Sequence, residues 1–287
     1  MCGIVGAIAD RNVVPILMEG LRRLEYRGYD SAGLAVLSNG HLRRQRRQGK
    51  VAELQLALDA DPLNSTIGIA HTRWATHGIP SEKNAHPHIS HDGLAIVHNG
   101  IIENHEQLRD ELKTLGYTFA SDTDTECIAH RIHYHLKKTP SLFEAVRATV
   151  AQLEGAYALV VMSEDNPGQL ILARCGCPVV VGLGDGENFV ASDVSALLPV
   201  TRRFIFLEEG DVAEIHRSHV RVVDKDGKPA HRPVKESELS ADAAEKGQYA
   251  HYMLKELHQQ PRAAAQTLEE RVAGGKLLEA AFGPGAT

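Results

Sequence analysis

Apolar positions along the first 223 residues alternate between short runs and helical spacings, and this alternation predicts most of the elements. Residues 4–9 form an apolar run closed by Asp10, Arg11 and Asn12, which predicts a buried strand and a turn. Val14, Ile16, Leu17, Leu21 and Leu24 then recur at three-to-four spacing, the pattern of an amphipathic helix that stops at Arg27-Gly28. Residues 31–37 and 42–47 predict two further strands, and 51–58 a helix. A strand over 67–71 leads into a polar stretch, 72–93, rich in His, Pro, Ser and Gly; a loop of that length inside a compact domain is usually functional or disordered. Residues 94–98 restore a strand, which Asn99-Gly100 is expected to turn. Helices are predicted over 106–115, 125–137 and 142–153, the second capped by Asp124. Strands then dominate, at 157–162, 170–173, 179–183, 189–191, 204–207, 212–215 and 220–223, with a short helical piece at 194–198. So many strands between two sets of helices predict stacked sheets with helical outer layers, although the pattern leaves the topology open.

The pattern changes after residue 223. Residues 224–248 are charged and polar, offer almost nothing to bury, and read as a linker. Tyr249, Met253, Leu254 and Leu257 then return at helical spacing in a helix expected to end near Pro261, and residues 274–287 tail into Gly, Ala and Pro. An amphipathic helix with no core behind it reads as the opening of another domain. The expected division is a first domain over 1–240, with 241–287 as linker and the start of a truncated second domain.

Composition narrows the function classes. A formal charge of -6 and a pI near 6.2 argue against general nucleic-acid binding. The one basic run, Arg43-Arg44-Gln45-Arg46-Arg47, has no interleaved aromatics and reads as a solvated strand rather than a polyanion site. No window approaches 18 apolar residues, and the N-terminus lacks the basic and apolar regions of a signal peptide. Cys2, Cys127, Cys175 and Cys177 form no disulfide framework, which fits a reducing, cytoplasmic setting.

The candidate chemistry begins at Met1-Cys2-Gly3. Aminopeptidase removal of Met1 would leave Cys2 carrying both a thiol and a free α-amine, with reference pKa values of about 8.5 and about 7.7–8.0. Groups so matched can exchange a proton near neutral pH, so the amine can serve as the base of its own nucleophile. The bland alternative is a small residue on an apolar first strand. Four other segments carry polar groups in suggestive places. Residues 23–33, RLEYRGYDSAG, hold two glycines that could let backbone approach a site closely, or could simply connect a helix to a strand. Residues 71–78, HTRWATHG, hold the single tryptophan beside Arg73, which could grip a carboxylate bidentately. Residues 98–104, HNGIIEN, hold Asn99-Gly100, a common turn; yet an Asn side-chain N–H and the following Gly N–H can also converge on one oxygen as an oxyanion hole. Residues 121–126, SDTDTE, read as a helix cap or as a seat for a substrate ammonium on Asp124.

Taken together and in this order, these five segments resemble the class II glutamine amidotransferases, the N-terminal-nucleophile hydrolases. Within them they resemble the branch that delivers ammonia to fructose 6-phosphate. The resemblance covers roughly residues 2–240, and the helix near Tyr249 resembles the start of that branch's sugar-isomerase half. It implies an α+β fold, a four-layer αββα sandwich of two antiparallel sheets flanked by helices. It implies Cys2 as nucleophile with its own α-amine as base, and Asn99 and Gly100 as the oxyanion hole. Arg73 would clamp the α-carboxylate of L-glutamine and Asp124 its α-ammonium, with Thr76 and His77 lining the pocket. Trp74 would sit on a loop that covers glutamine and gates ammonia release. Arg27 would help order the N-terminus, and His86 would lie in the same loop region. No cofactor or metal is implied. The implied partners are L-glutamine and the chain's own C-terminal sugar-isomerase domain with fructose 6-phosphate, in a homodimer at full length, with no nucleic acid or membrane.

Three other readings stay open at this point. Six histidines between His71 and His98 could include a zinc pair at His86-x-His88, but no Cys pair or His-Glu helix motif supports it; Cys175-Gly-Cys177 reads as a packed strand end. A non-catalytic module that binds glutamine is the second. A class II amidotransferase with a different acceptor is the third.

Overall fold

The computed structural model describes residues 2–91, 93–238, 249, 251–268, 272–273 and 276–277. The chain divides into two compact units, Met1–Ala241 and Asp242–Thr287. The first unit opens with β1 (Gly3–Ile8), α1 (Val14–Leu24), the hairpin β2 (Ser31–Ser38) and β3 (His41–Gln48), α2 (Val51–Ala60) and β4 (Ile67–Arg73). A loop then leads to β5 (His88–Ser90) and β6 (Leu94–Ile102), followed by three helices, α3 (His105–Thr114), α4 (Asp124–Leu136) and α5 (Leu142–Val150). The remaining strands are β7 (Gly155–Ser163), β8 (Gln169–Cys175), β9 (Val180–Leu183), β10 (Asn188–Ala191), β11 (Arg203–Phe206), β12 (Val212–His216), β13 (Val220–Val223) and β14 (Val234–Glu236).

These strands make two antiparallel sheets. The larger has the order β14-β11-β9-β10-β1-β4-β2-β3, the smaller β13-β12-β8-β7-β6-β5. Every strand at the centre of the smaller sheet is buried on both faces, so its alternation is apolar on apolar. Ala158, Val160 and Met162 of β7 face the larger sheet, while Tyr157, Leu159 and Val161 face the helices. Leu170 and Leu172 of β8 alternate with Ile171 and Ala173 in the same way. One core therefore fills the space between the sheets, and a second lies between the smaller sheet and α3, α4 and α5. On the far side of the larger sheet, α1 packs on β1 and β4, and α2 on β2 and β3. The result is the four-layer αββα sandwich.

Several local expectations are corrected. Asn99-Gly100 does not turn the chain: β6 continues to Ile102, with Asn99 opposite Ala158 and Gly100 opposite Tyr157. A full ladder against β7 outweighs the local turn preference of Asn-Gly. Helix α4 starts one residue earlier than expected, at Asp124, and its cap is Thr123, whose hydroxyl accepts from the Glu126 N–H. Residues 224–238 are no linker. Val234–Glu236 adds an edge strand to β11, and Arg232 forks onto both oxygens of the fully buried Asp211 at 2.8 Å. A charged segment thus joins the fold by backbone pairing and one buried ion pair, neither of which leaves an apolar signature.

In the second unit, α6 (Tyr252–Leu268) runs through Pro261 rather than ending there, and a two-residue ladder pairs Val272–Ala273 with Lys276–Leu277. Residues 239–248 and 278–287, read from sequence as linker and tail, lie outside the described residues. Among the described residues, no helix is long and apolar enough to cross a membrane.

Candidate active site

Three adjacent strand ends and one helix start bring the predicted residues together. Cys2 precedes β1, whose partner β4 ends at Arg73; His71 of β4 lies opposite Ile4 and Thr72 opposite Gly3. Across the sandwich, β6 carries His98, Asn99 and Gly100, and α4 begins at Asp124. Cys2, Arg73, Trp74, Thr76, His77, His86, His98, Gly100, Thr123, Asp124 and Thr125 line one cleft. It is tight, with a cavity volume of about 10 Å³.

The Cys2 Sγ accepts from the Trp74 backbone N–H at 3.2 Å. Burial pushes the thiol above its ordinary pKa, against the Trp74 N–H, which pulls the other way. A thiol in that position keeps its proton near neutral pH and needs a base at the moment of attack. Asn99 Nδ2 donates to the Cys2 carbonyl at 3.1 Å, which sets a side-chain donor beside the thiol-bearing residue. Gly100 follows with a φ of +126°, and a Cβ there would lie 1.9 Å from the Ala156 carbonyl oxygen, so only glycine fits this strand position.

Arg73 is buried, with three of its five N–H groups directed at backbone. They donate to the carbonyls of His77, Gly78 (3.1 Å) and Ile79 (3.5 Å). The loop after β4 is thereby folded over its own guanidinium. Its start is tied down by Asp30, whose carboxylate accepts from the Ala75 N–H. Trp74 is 52% exposed at the cleft's rim, edge-on to Tyr29 with ring centroids 6.1 Å apart. Asp124 is buried at the first turn of α4, where the helix dipole favours a negative charge, and its Oδ2 accepts from the Ile102 N–H at 3.0 Å.

The floor is a packed cluster of histidines. His71 stacks on His86, centroids 4.2 Å apart, and His86 meets His88 edge-on at 4.8 Å. Burial lowers the pKa of His71 to about 3 and drives those of His86, His88 and His98 down as well, so the cluster is neutral. The His98 backbone N–H donates to His86 Nδ1 at 3.3 Å, and Thr125 Oγ1 lies 2.9 Å from His98 Nδ1 and 3.3 Å from His86 Nε2.

Arg27 stands apart from the cleft lining. Its guanidinium pairs with Asp193 at 2.7 Å, next to Ser192, whose hydroxyl accepts from the Ile4 N–H. The two glycines of residues 23–33 are close-approach positions: a Cβ on Gly28 would meet the Arg73 carbonyl at 2.8 Å, and one on Gly33 the His86 carbonyl at 2.2 Å. The basic run on β3 grips the same loop from outside. Arg44 donates to the Pro87 carbonyl, and Arg46 to those of Lys83 and Ala85. Cys175 packs into the helix-side core and Cys177 into the inter-sheet core, so the pair diverges. Among the described residues, no group of three or more His, Cys, Asp and Glu side chains could hold a metal ion.

Sequence reasoning missed His71 as an individual, along with Asp30 and Ser192. Each is an ordinary polar residue in a strand or turn, and only the pairing of distant strands reveals what it touches.

A family model described as glutamine amidotransferase domain matches residues 71–199, which span the site's loop and β6. Residues 71–199 are thus similar to glutamine amidotransferase domains. It is 60% identical over 286 residues to a Shewanella oneidensis protein named glutamine–fructose-6-phosphate aminotransferase (isomerizing), covering 100% of this chain and 47% of that one. An Escherichia coli K12 protein of the same name is 58% identical over 287 residues, with the same coverage. The chain thus spans about half the length of the curated relatives it matches. Among solved structures, it resembles the Bacillus subtilis glutamine phosphoribosylpyrophosphate amidotransferase, with a TM-score of 0.68 and 26% identity over 78% of this chain and 49% of that one. A class-II domain protein from Silicibacter pomeroyi shares the fold alone, with a TM-score of 0.53 and 15% identity, over 78% of this chain and 99% of that one.

Proposed function

We propose that this domain hydrolyses the side-chain amide of L-glutamine through an N-terminal cysteine, and that the whole protein delivers the ammonia to fructose 6-phosphate. The observation that carries the reading is the convergence of Cys2, Gly100, Arg73 and Asp124 from four separate segments on one cleft, with Asn99 hydrogen-bonded to the Cys2 carbonyl beside it. Removal of Met1 frees the Cys2 α-amine. That amine takes the thiol proton as Sγ attacks the amide carbon, which answers the upward pull of burial on the thiol. Asn99 Nδ2 and the Gly100 N–H stabilise the oxyanion of the tetrahedral adduct. The adduct collapses with breaking of the C–N bond, the protonated α-amine gives its proton to the departing ammonia, and a γ-glutamyl thioester remains on Cys2. Water then cleaves the thioester to release glutamate and restore the thiol.

Arg73 and Asp124 bind the α-carboxylate and α-ammonium. A free amino acid satisfies both, whereas a peptide-linked glutamine leaves two buried charges unpaired. Thr76 and His77 line the pocket beside them, with His86 behind. Trp74 caps the cleft, and its exposed ring is placed to govern ammonia's exit. Arg27, through Asp193, steadies the backbone that follows the nucleophile. Residues 241–287 open the sugar-isomerase half, which binds fructose 6-phosphate and forms a cytoplasmic homodimer; relatives about twice this length support that reading. The chain spanning the domain should release glutamate from glutamine and form no amino sugar by itself. Glutamate measured enzymatically with glutamine as sole substrate tests the first half, and no release from a chain lacking Met1 would refute it.

A further inference from the structure

The roles given to Cys2 and Asn99 leave their buried neighbour His71 unexplained. His71 Nε2 lies 3.0 Å from the His98 carbonyl oxygen and 3.0 Å from Asn99 Oδ1. A carbonyl oxygen only accepts, so Nε2 must carry the hydrogen. That fixes the Asn99 amide: Oδ1 accepts from His71, and Nδ2 donates to the Cys2 carbonyl. Turned over, the amide would set its N–H₂ against the His71 N–H and its oxygen against the Cys2 carbonyl, two repulsive contacts in place of two hydrogen bonds. Burial keeps the ring neutral, with a pKa of about 3, so one tautomer persists across the neutral range. Nδ1 has no hydrogen-bond partner among the described residues, and the ring stacks on His86. The hydrogen bonds of His71 therefore run through Nε2, toward Asn99 and the backbone that carries it.

We propose that His71 is a positioning residue for glutamine hydrolysis, its Nε2–H setting the orientation of the Asn99 amide so that Nδ2 is presented to the developing oxyanion. This rests on the nucleophile and oxyanion roles proposed above. The test measures kcat and KM for glutamate release in His71→Met and His71→Gln, each made alone and combined with Asn99→Ala. Methionine keeps apolar bulk and removes the donor; kcat is expected to fall roughly 10- to 100-fold, approaching the loss of an oxyanion donor itself, with KM changed by less than about threefold. Glutamine offers an amide N–H and should recover a large part of kcat. In the Asn99→Ala background neither substitution should lower kcat further, because the group His71 positions is gone.

An unchanged kcat in His71→Met would overturn the proposal, as would equal losses with and without Asn99. A rise in KM alone would also overturn it, by placing His71 in binding. If the methionine variant does not fold, the glutamine pair decides: retained kcat supports the proposal, and a loss that persists without Asn99 defeats it. A wild-type chain lacking Met1 that releases no glutamate would instead remove the proposed function, before any variant is compared.

Discussion

Strands β4 and β6 each pass through two different interiors. In β4, Ile67, Ile69 and Ala70 are buried among apolar side chains, and the strand then enters His71, Thr72 and Arg73. In β6, Leu94 to Val97 pack against apolar neighbours on both faces, and the strand then enters His98 and Asn99. The backbone ladder continues through both halves, and burial hardly changes. What changes is the means of satisfaction: the first half is held by shape, the second largely by hydrogen bonds to its polar side chains. One sandwich therefore holds a core at its middle and a prearranged polar site at one end.

This contrast separates stability from chemistry, and substitutions should sort accordingly. Cys2→Ala at the polar end should reduce glutamate release by ~10⁴-fold or more while leaving the melting temperature nearly unchanged, because the nucleophile contributes chemistry and little packing. Ile96→Ala in the apolar half should do the reverse. It should cost about 2–5 kcal/mol of stability in denaturant unfolding, with KM for glutamine unaltered in the folded fraction. Arg73→Lys exchanges a forked donor for a point charge, and steady-state kinetics should show KM raised roughly 30- to 100-fold.

Acid should act mainly on the polar end. His71 titrates near 6.5 when unfolded and at about 3 when folded, so between those values the unfolded chain binds more protons. Its contribution is complete above about pH 6.5 and is lost as pH falls toward 3, at up to about 1.4 kcal/mol per pH unit. Glu126 adds a lower window. Burial opposes its charge, but His130 Nε2 at 3.6 Å and hydrogen bonds from Ala120 and Ser121 prevail and hold it at about 2, so its contribution fades between about pH 4.5 and 2. Thermal melts at stepped pH would show both, and Ile96→Ala should leave the slopes intact. The smallest effect belongs to the exposed pair Arg43–Asp61, 2.8 Å apart: Arg43→Ala should cost less than about 1 kcal/mol.

The same division explains what the sequence made legible. Apolar periodicity located nearly every element of the first unit, because burial on one or both faces writes itself into residue type. The polar end was legible at Cys2, from its place after Met1, and where several chemically loaded residues stand close in the chain, as in residues 71–78, 98–104 and 121–126. Asn99-Gly100 was misplaced in a turn because its strand pairing lies with Ala158 and Tyr157, nearly 60 residues away. His71 was passed over because its role depends on an amide across the sandwich. Residues 224–238 carry β14 without apolar alternation, since an edge strand is held by backbone bonds and by Arg232 on Asp211.

The central claim is that Cys2 is a nucleophile with a free α-amine. Intact mass before and after exposure to a diazo-ketone analogue of glutamine tests both parts. The account predicts a starting mass lacking Met1, then a single adduct located on Cys2 and suppressed by excess glutamine. A chain lacking Met1 that takes no adduct, or takes one elsewhere with Cys2 untouched, would contradict it.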